Sequence, residues 1–210
     1  MLPASFCGVR EMLGDGSAQH KLPNLDPTWF FDGKIAGIDD AVVRETIVAA
    51  LGSWSKHCAV VWSEASSPDK AMLRIITTVI DGPGNVLADC QLPFPGVRQL
   101  LMRLDAERFI VAVNPPQQRI GLQHVIAHEG GHAMGFFHLD YDTTPDLMNP
   151  TYRGDIYEPQ PDDATIARKM YGPRRVESEP SSPIPGKPWT VTVTDGESVF
   201  EATGGFRKIK

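Results

Sequence analysis

His128-Glu-Gly-Gly-His-Ala-Met-Gly-Phe-Phe-His138 is the segment from which the architecture of this chain can be predicted, and it holds three of the six histidines. His128 and His132 are four residues apart, so on a helix both imidazoles project from the same face, one turn apart. Two imidazoles placed in this way can bind one metal ion, and zinc suits nitrogen ligands well. Glu129 is placed to take a proton from a water molecule that zinc has acidified. The segment therefore predicts a helix that carries a hydrolytic metal site.

The second half of the segment adds a third candidate ligand. Gly135 follows His132 by three residues, and a glycine just past the end of a helix can adopt a positive φ and reverse the chain. That reversal would bring His138 toward the ion bound by the first two histidines. Three protein nitrogens plus water form the ligand set of a catalytic zinc, which keeps one position open. We therefore expect one catalytic zinc.

Composition indicates an ordinary globular domain with additional segments. The 210 residues are 41% hydrophobic and 22% charged, which is enough for a sizeable core. The formal net charge of -6 argues against a nucleic-acid partner. No apolar run is long enough to span a bilayer, and the first residues lack the features of a signal peptide. Three cysteines (Cys7, Cys58 and Cys90) are too few for a disulfide framework. They therefore do not indicate whether the protein works in an oxidising or a reducing compartment.

Residues on both sides of the histidine segment predict helices and strands in one domain. Helical spacing of apolar residues, with aspartates placed to cap, predicts helices at 39–57 and 161–172. A further helix is predicted at about 122–134, around the histidine segment. Runs rich in β-branched residues predict strands at 59–65, 71–80 and 108–114. Residues 98–104 fit either a strand or a helical turn. The mixture predicts an α+β domain.

The composition changes after Gly172. Residues 174–189 are rich in proline, serine and charge, as linkers are. Residues 189–202 alternate around Asp195-Gly196, which predicts a hairpin. A lone hairpin is marginal in water, so we expect it to pack on this domain, on a protein partner or on a further module. The predicted division is an N-terminal segment at 1–21 (a candidate short propeptide), a catalytic domain at 22–173, a linker at 174–189 and a C-terminal hairpin or tail at 190–210.

The extended histidine motif is the metzincin signature, and further segments resemble the matrixins, the matrix-metalloprotease-like branch of that group. Met148, in Asp-Leu-Met-Asn-Pro-Thr-Tyr, stands where the family has a methionine-containing turn. Residues 161–172 resemble the helix after that turn, 81–88 resemble a family loop between strands, and 39–56 resemble the first helix. The resemblance covers roughly residues 22–172. It implies a zincin fold with a twisted, mostly parallel sheet, two long helices and a closing helix after the turn.

The resemblance also implies roles for individual residues. His128, His132 and His138 would bind the catalytic zinc, Glu129 would be the general base, and Met148 would form the floor under the metal. The pocket for the residue after the scissile bond would be lined by His124, Pro150 and Tyr152. A histidine at position 124 implies a shallower or more polar pocket than a small residue would. The implied activity is a secreted zinc endopeptidase that hydrolyses peptide bonds in peptides or proteins.

The residues that bind further metal ions in the family are only partly present in this chain. Matrixins hold a second, structural zinc through histidines, and Asp89 stands where one of them is expected, so we do not expect that zinc. A bound calcium is a further candidate, because the family holds one under the 81–88 loop and hard oxygen ligands suit calcium. The candidate ligands are Asp81, a carboxylate from Asp105 or Glu107, and the backbone carbonyls of Gly82, Gly84 and Val86.

Cys7 precedes Gly-Val and resembles the cysteine switch of the family, in which a propeptide thiolate takes the open zinc position. The residues that flank the family motif are absent here. Two interpretations therefore stay open. Cys7 either inhibits the site or is an ordinary cysteine near a chain end.

Two functions of different classes fit these features. The first is the endopeptidase, whose extended substrate would pair with an unpaired sheet edge above the site. The second is a catalytically silent, metzincin-like interaction protein that the C-terminal hairpin docks to a larger assembly. The intact Glu129 favours the enzyme, since nothing structural demands a base at that position.

Overall fold

A computed structural model describes residues 20–81, 86–105, 120–139, 145–154 and 156–175, together with the backbone of strand residues 6–7, 109–110, 189–194 and 199–204. The chain divides into two compact units, Met1–Arg175 and Val176–Lys210. The division falls inside the predicted linker, and the finer domain boundaries stay predictions.

The first unit is an α+β domain with a mixed sheet. Its strands are β1 (Phe6–Cys7), β2 (Thr28–Asp32), β3 (Ser63–Glu64), β4 (Leu73–Thr78), β5 (Val86–Cys90), β6 (Leu100–Asp105), β7 (Phe109–Ile110) and β8 (Ile120–Gly121). Six of them form one sheet in the order β1-β5-β6-β4-β2-β3. Only the β5–β6 pair in that sheet is antiparallel. The predicted fold class, α+β with a mostly parallel sheet, is confirmed.

The described part of this unit also holds three α-helices at the predicted places: α1 (Asp40–Ser55), α2 (Leu122–Ala133) and α3 (Pro161–Tyr171). Asp39 caps α1, because its side chain accepts a hydrogen bond from the backbone N–H of Ala41 at 2.8 Å. Helix α1 buries Ile47, Leu51 and Trp54 and packs against α2. None of the described helices is long and apolar enough to cross a bilayer.

Some predicted elements differ in detail. Within 59–65 only Ser63–Glu64 is a strand, because its partner β2 begins after Pro27, which has no N–H to donate. Residues 100–105 form a strand, since β6 pairs along β4 and buries alternate residues in the core. The cap of α3 is Gln160 rather than an aspartate, and Gln160 forms a capping box with Asp163. Only Phe109–Ile110 of the predicted strand at 108–114 is described.

The second unit contains the predicted hairpin. Strands β9 (Trp189–Thr194) and β10 (Val199–Gly204) pair antiparallel, with Val199 opposite Thr194 and Gly204 opposite Trp189. The turn at Asp195-Gly196 lies outside the described residues.

Strand β1 pairs with one edge of β5. Phe6 lies opposite Val86 and Cys7 opposite Ala88, and the two strands run parallel. The next residue on the same side of β5 is Cys90, a buried thiol whose pKa is raised well above its usual value by burial and by the nearby charge of Glu129. Residues 6–7 therefore lie along the strand that ends beside Glu129.

Candidate metal centre

Three buried imidazoles converge at the C-terminal end of α2. The candidate ligand atoms of His128, His132 and His138 all lie within 4.8 Å of one another. The Nε2 atoms of His132 and His138 are 3.1 Å apart. Tetrahedral zinc with bonds of 2.0–2.1 Å separates its nitrogen ligands by about 3.4 Å. Among the described residues this is the one group of histidine, cysteine or carboxylate side chains with a spacing that fits a metal ion.

Two backbone carbonyls set the tautomers of the helix histidines. Nδ1 of His128 lies 2.6 Å from the carbonyl oxygen of Leu147, and Nδ1 of His132 lies 2.7 Å from that of Phe136. A carbonyl oxygen can only accept, so each Nδ1 carries a hydrogen, and in a neutral ring Nε2 then keeps its lone pair. Nε2 of His128 is buried and has no hydrogen-bond partner among the described residues. A buried acceptor of this kind is suited to a metal ion.

The environment keeps both of these rings neutral. Burial, with the neighbouring imidazoles of His132 and His138, lowers the pKa of His128 well below its usual range. Burial and His138 lower the pKa of His132 to about 3. Neutral imidazole is the form that binds metals. The site is therefore ready to bind a cation near neutral pH without first losing a proton from either ring.

Gly135 ends α2 in the predicted manner. Its φ is 97°, a value that side chains disfavour. Its N–H donates to the carbonyl of His132 at 2.8 Å, and the N–H of Phe136 donates to that of Gly131 at 2.9 Å. This pair of bonds is a Schellman motif. The chain turns back at this point, and His138 reaches His132 as a result.

Two further glycines let other side chains approach the helix. A Cβ atom at Gly131 would lie 2.3 Å from Sδ of Met148 and 2.8 Å from the Trp54 ring. A Cβ atom at Gly130 would lie 2.7 Å from Leu51. Each glycine therefore leaves space that a side chain from α1 or from the methionine turn fills. The sequence alone offered no reason for Gly130.

Asp163 of α3 holds the methionine turn. Its carboxylate accepts hydrogen bonds from the backbone N–H groups of Leu147 at 2.8 Å and Met148 at 3.1 Å. It also accepts one from the N–H of Gln160 at 2.8 Å, within the capping box. The carbonyl of the same Leu147 orients His128. One buried carboxylate on α3 thus supports the peptide that sets the tautomer of a candidate ligand.

His124 and Tyr152, two of the residues predicted to line a substrate pocket, contact each other beside His128. The His124 and Tyr152 rings meet edge to face with centroids 4.5 Å apart, and the His124 ring lies 6.4 Å from that of His128. Nδ1 of His124 hydrogen-bonds the carbonyl of Ile156. Pro150 is half-buried two residues before Tyr152. The hydrogen bond to Ile156 and the contact with Tyr152 hold the buried imidazole of His124 in place.

The predicted calcium ligands are only partly described. The carboxylate of Asp81 accepts a hydrogen bond from the N–H of Val86 at 3.2 Å, which closes the loop between them. Asp105 is buried at the end of β6. The carbonyls at 82–85 and the side chain of Glu107 lie outside the described residues. Calcium binding stays a prediction.

Asp89, which stands in place of a family zinc ligand, forms an ion pair with Arg103. The two residues face each other across β5 and β6, and Nε of Arg103 donates to Asp89 at 2.8 Å. The ion pair links β5 to β6, and the absence of a structural zinc stays a prediction.

Sequence reasoning missed two residues that support the site. The indole N–H of Trp54 donates to the carbonyl of Ala127, next to His128, at 2.8 Å, and Asp163 holds the turn described above. A tryptophan on a predicted helix indicates core packing, but the sequence does not identify the acceptor of its indole N–H. An aspartate near a helix start signals a cap rather than a contact with a distant turn.

Comparison with known proteins agrees with this geometry. A family model described as Matrixin matches residues 21–172. Matrix metalloproteinase-19 of Mus musculus is 31% identical over 125 residues, which covers 53% of this chain and 22% of that protein. Matrix metalloproteinase-19 of Homo sapiens is 32% identical over 120 residues, with the same two coverages. The chain thus spans about a fifth of the length of the curated relatives it matches.

Replacing Gly131 by alanine should destabilise the fold, because the new methyl group overlaps Met148 and Trp54. We expect a loss of about 1–3 kcal/mol in the free energy of unfolding, measured in urea. The matched control is Gly52→Ala in α1, where a Cβ atom meets nothing within 4 Å. That variant should gain about 0.5–1 kcal/mol. Equal effects of the two substitutions would contradict this account.

Asp163 should give the stability a characteristic pH dependence. Burial raises its pKa to about 6, although three backbone N–H groups act in the opposite direction. Between the unfolded value of about 3.9 and about 6, the folded state keeps a proton that the unfolded state has released. The stabilisation is therefore complete below about pH 4 and is lost as the pH rises through 6.

The measurement is urea unfolding from pH 4 to pH 7 with a chelator present, so that metal release does not contribute. The free energy of unfolding of the wild type should fall by up to about 3 kcal/mol relative to Asp163→Asn across this range. Asp162→Asn, at the exposed neighbouring position, should keep the wild-type slope. A wild-type slope in Asp163→Asn would show that Asp163 does not titrate there.

Proposed function

Because this chain belongs to the matrixin family, we propose that it is a zinc-dependent endopeptidase. The observation that carries the proposal is the convergence of three buried imidazoles whose candidate ligand atoms lie within 4.8 Å of one another. His128, His132 and His138 would hold the ion. When bound, zinc supplies Lewis acidity toward the scissile carbonyl and acidifies a water molecule. Met148 would form the apolar floor, consistent with its packing against Gly131.

Glu129 would be the general base. It follows His128 on α2 and is 1% exposed, so the reaction would take place in a site that excludes bulk water. Its carboxylate would take a proton from the attacking water and deliver it to the leaving amine. The neighbouring Cys90 would stay a neutral thiol, since its pKa is raised well above the usual range, so it would not compete for the proton.

The substrate would be an extended peptide paired with the edge of β5. Main-chain hydrogen bonds to a sheet edge give affinity, and pockets for alternate side chains give specificity. His124, Pro150 and Tyr152 would line the pocket for the residue after the scissile bond. Since the imidazole of His124 is buried against Tyr152, that pocket would be shallow and partly polar and would favour small residues.

The N-terminal segment 1–21 would be an inhibitory propeptide. Strand β1 lies along the edge of β5, where the substrate would pair, so the two would exclude each other. Cys7 is placed opposite Ala88, two residues before the end of β5. A thiolate is a good zinc ligand, and Cys7 would take the open position until the segment is removed.

Three further properties are part of the same proposal, the first two by family resemblance and the third from the predicted hairpin. The protein would act outside the cell, and it would bind calcium near Asp81 and Asp105. The C-terminal hairpin would dock a protein partner. Metal analysis of the purified chain, with calcium and zinc counted separately, tests the calcium proposal.

Cys7→Ser should activate the full-length chain. A segment that occupies the site in nine chains of ten lowers activity about tenfold, so we expect at least about a tenfold rise in cleavage of a quenched fluorescent peptide. Ser5→Ala, two residues away, is the control and should stay latent. Equal activity of wild type and Cys7→Ser would show that Cys7 does not inhibit the site.

Glu129→Gln, made in the Cys7→Ser chain, should lower kcat/KM by about 10²–10⁴, the usual contribution of a general base. Zinc content should stay at one per chain, because the carboxylate is not a ligand. Glu45→Gln, at an exposed position on α1, controls for loss of charge. Retained cleavage by Glu129→Gln would overturn the mechanism. A Cys7→Ser chain that holds zinc but cleaves nothing would favour the interaction protein instead.

A further inference from the structure

Tyr171, the last residue of α3, carries a buried hydroxyl that the proposed mechanism does not use. Its oxygen lies 2.5 Å from the carbonyl oxygen of Met134 and 2.9 Å from the backbone nitrogen of Leu22. The carbonyl can only accept, so the hydroxyl donates to Met134 and accepts from the N–H of Leu22. Burial raises the pKa of Tyr171, which keeps this proton in place at ordinary pH.

The carbonyl of Met134 belongs to the turn that shapes the metal centre. Met134 is the C-cap of α2 and precedes Gly135, whose positive φ reverses the chain toward His138. Carbonyls at a helix end have no partner within the helix. The hydroxyl of Tyr171 satisfies the one at Met134, which is fully buried.

The ring of Tyr171 contacts the other side of the same turn. It meets the ring of Phe136 edge to face, with centroids 6.2 Å apart. The carbonyl of Phe136 accepts the Nδ1 hydrogen of His132. Tyr171 therefore touches both residues that flank Gly135, and one of them fixes the tautomer of a candidate ligand.

We propose that Tyr171 is a positioning residue for the metal centre, and that its hydroxyl couples the geometry of the turn at Met134–Phe136 to the backbone at Leu22. Leu22 is the point where the N-terminal segment joins the domain, so the metal centre and this junction influence each other through one hydroxyl group. The inference rests on the proposed function only in taking zinc as the ion.

The first test is Tyr171→Phe in the full-length chain, which removes the hydroxyl and keeps the ring. Groups that orient metal ligands directly change metal affinity about 10–100-fold, and Tyr171 acts one contact further away. We therefore expect zinc affinity, measured by chelator competition, to fall about threefold to tenfold. The visible absorption bands of the cobalt-substituted chain should change in position or intensity.

Two controls separate positioning from general destabilisation. Tyr157→Phe removes a hydroxyl elsewhere, and Ile75→Val removes one buried methyl group from β4. Both should keep the wild-type zinc affinity and cobalt spectrum. If Tyr171→Phe behaves like these controls, even with a lower Tm, the inference is wrong.

The second test uses the wild type and does not depend on whether a variant folds. Coupling between two sites is reciprocal, so zinc should slow hydrogen exchange at the Leu22 amide by about threefold or more relative to the chelated chain. An unchanged rate overturns the inference. A wild type that binds neither zinc nor cobalt overturns both this inference and the proposed function, whereas metal binding without cleavage overturns the proposed function alone.

Discussion

Two hydrogen bonds from imidazole to backbone determine the chemistry of this domain. Because the carbonyls of Leu147 and Phe136 accept the Nδ1 hydrogens of His128 and His132, the Nε2 atom of each ring is left as an acceptor in a buried space. Buried nitrogen lone pairs are poorly solvated, and a bound metal ion would relieve that cost. The rest of the fold holds these two carbonyls and the helix between them in place.

Each carbonyl is held by a different element. The turn at Leu147 is fixed by the carboxylate of Asp163 on α3, and the turn at Phe136 is packed against Tyr171 at the end of the same helix. Trp54 of α1 fixes α2 from the other side through the carbonyl of Ala127. The short closing helix therefore supports both halves of the site from its two ends. Because α3 follows the histidines in the chain, the sequence alone does not indicate that it supports the two turns beside them.

The local parts of the site could be predicted because they depend on neighbours along the chain. The spacing of His128 and His132 gives one helix face, and Gly135 gives the reversal. The cap at Asp39 and the hairpin strands around Asp195-Gly196 follow from equally local rules. The predictions that failed in detail depend on distant partners. Residues 59–65 form only a two-residue strand since Pro27 limits the pairing with β2.

The sequence by itself determined the α+β class, the helix that carries His128 and His132, and the identity of three converging histidines, because periodicity and turn chemistry act over a few residues. Only the tertiary structure decided which nitrogen of each ring carries the hydrogen, why Gly130 and Gly131 lack side chains, and which residues hold the two supporting turns. These depend on contacts between residues far apart in the chain, such as Gly131 with Trp54 and Tyr171 with Leu22. Packing between separate elements fixes such contacts, and no local pattern of residues encodes them.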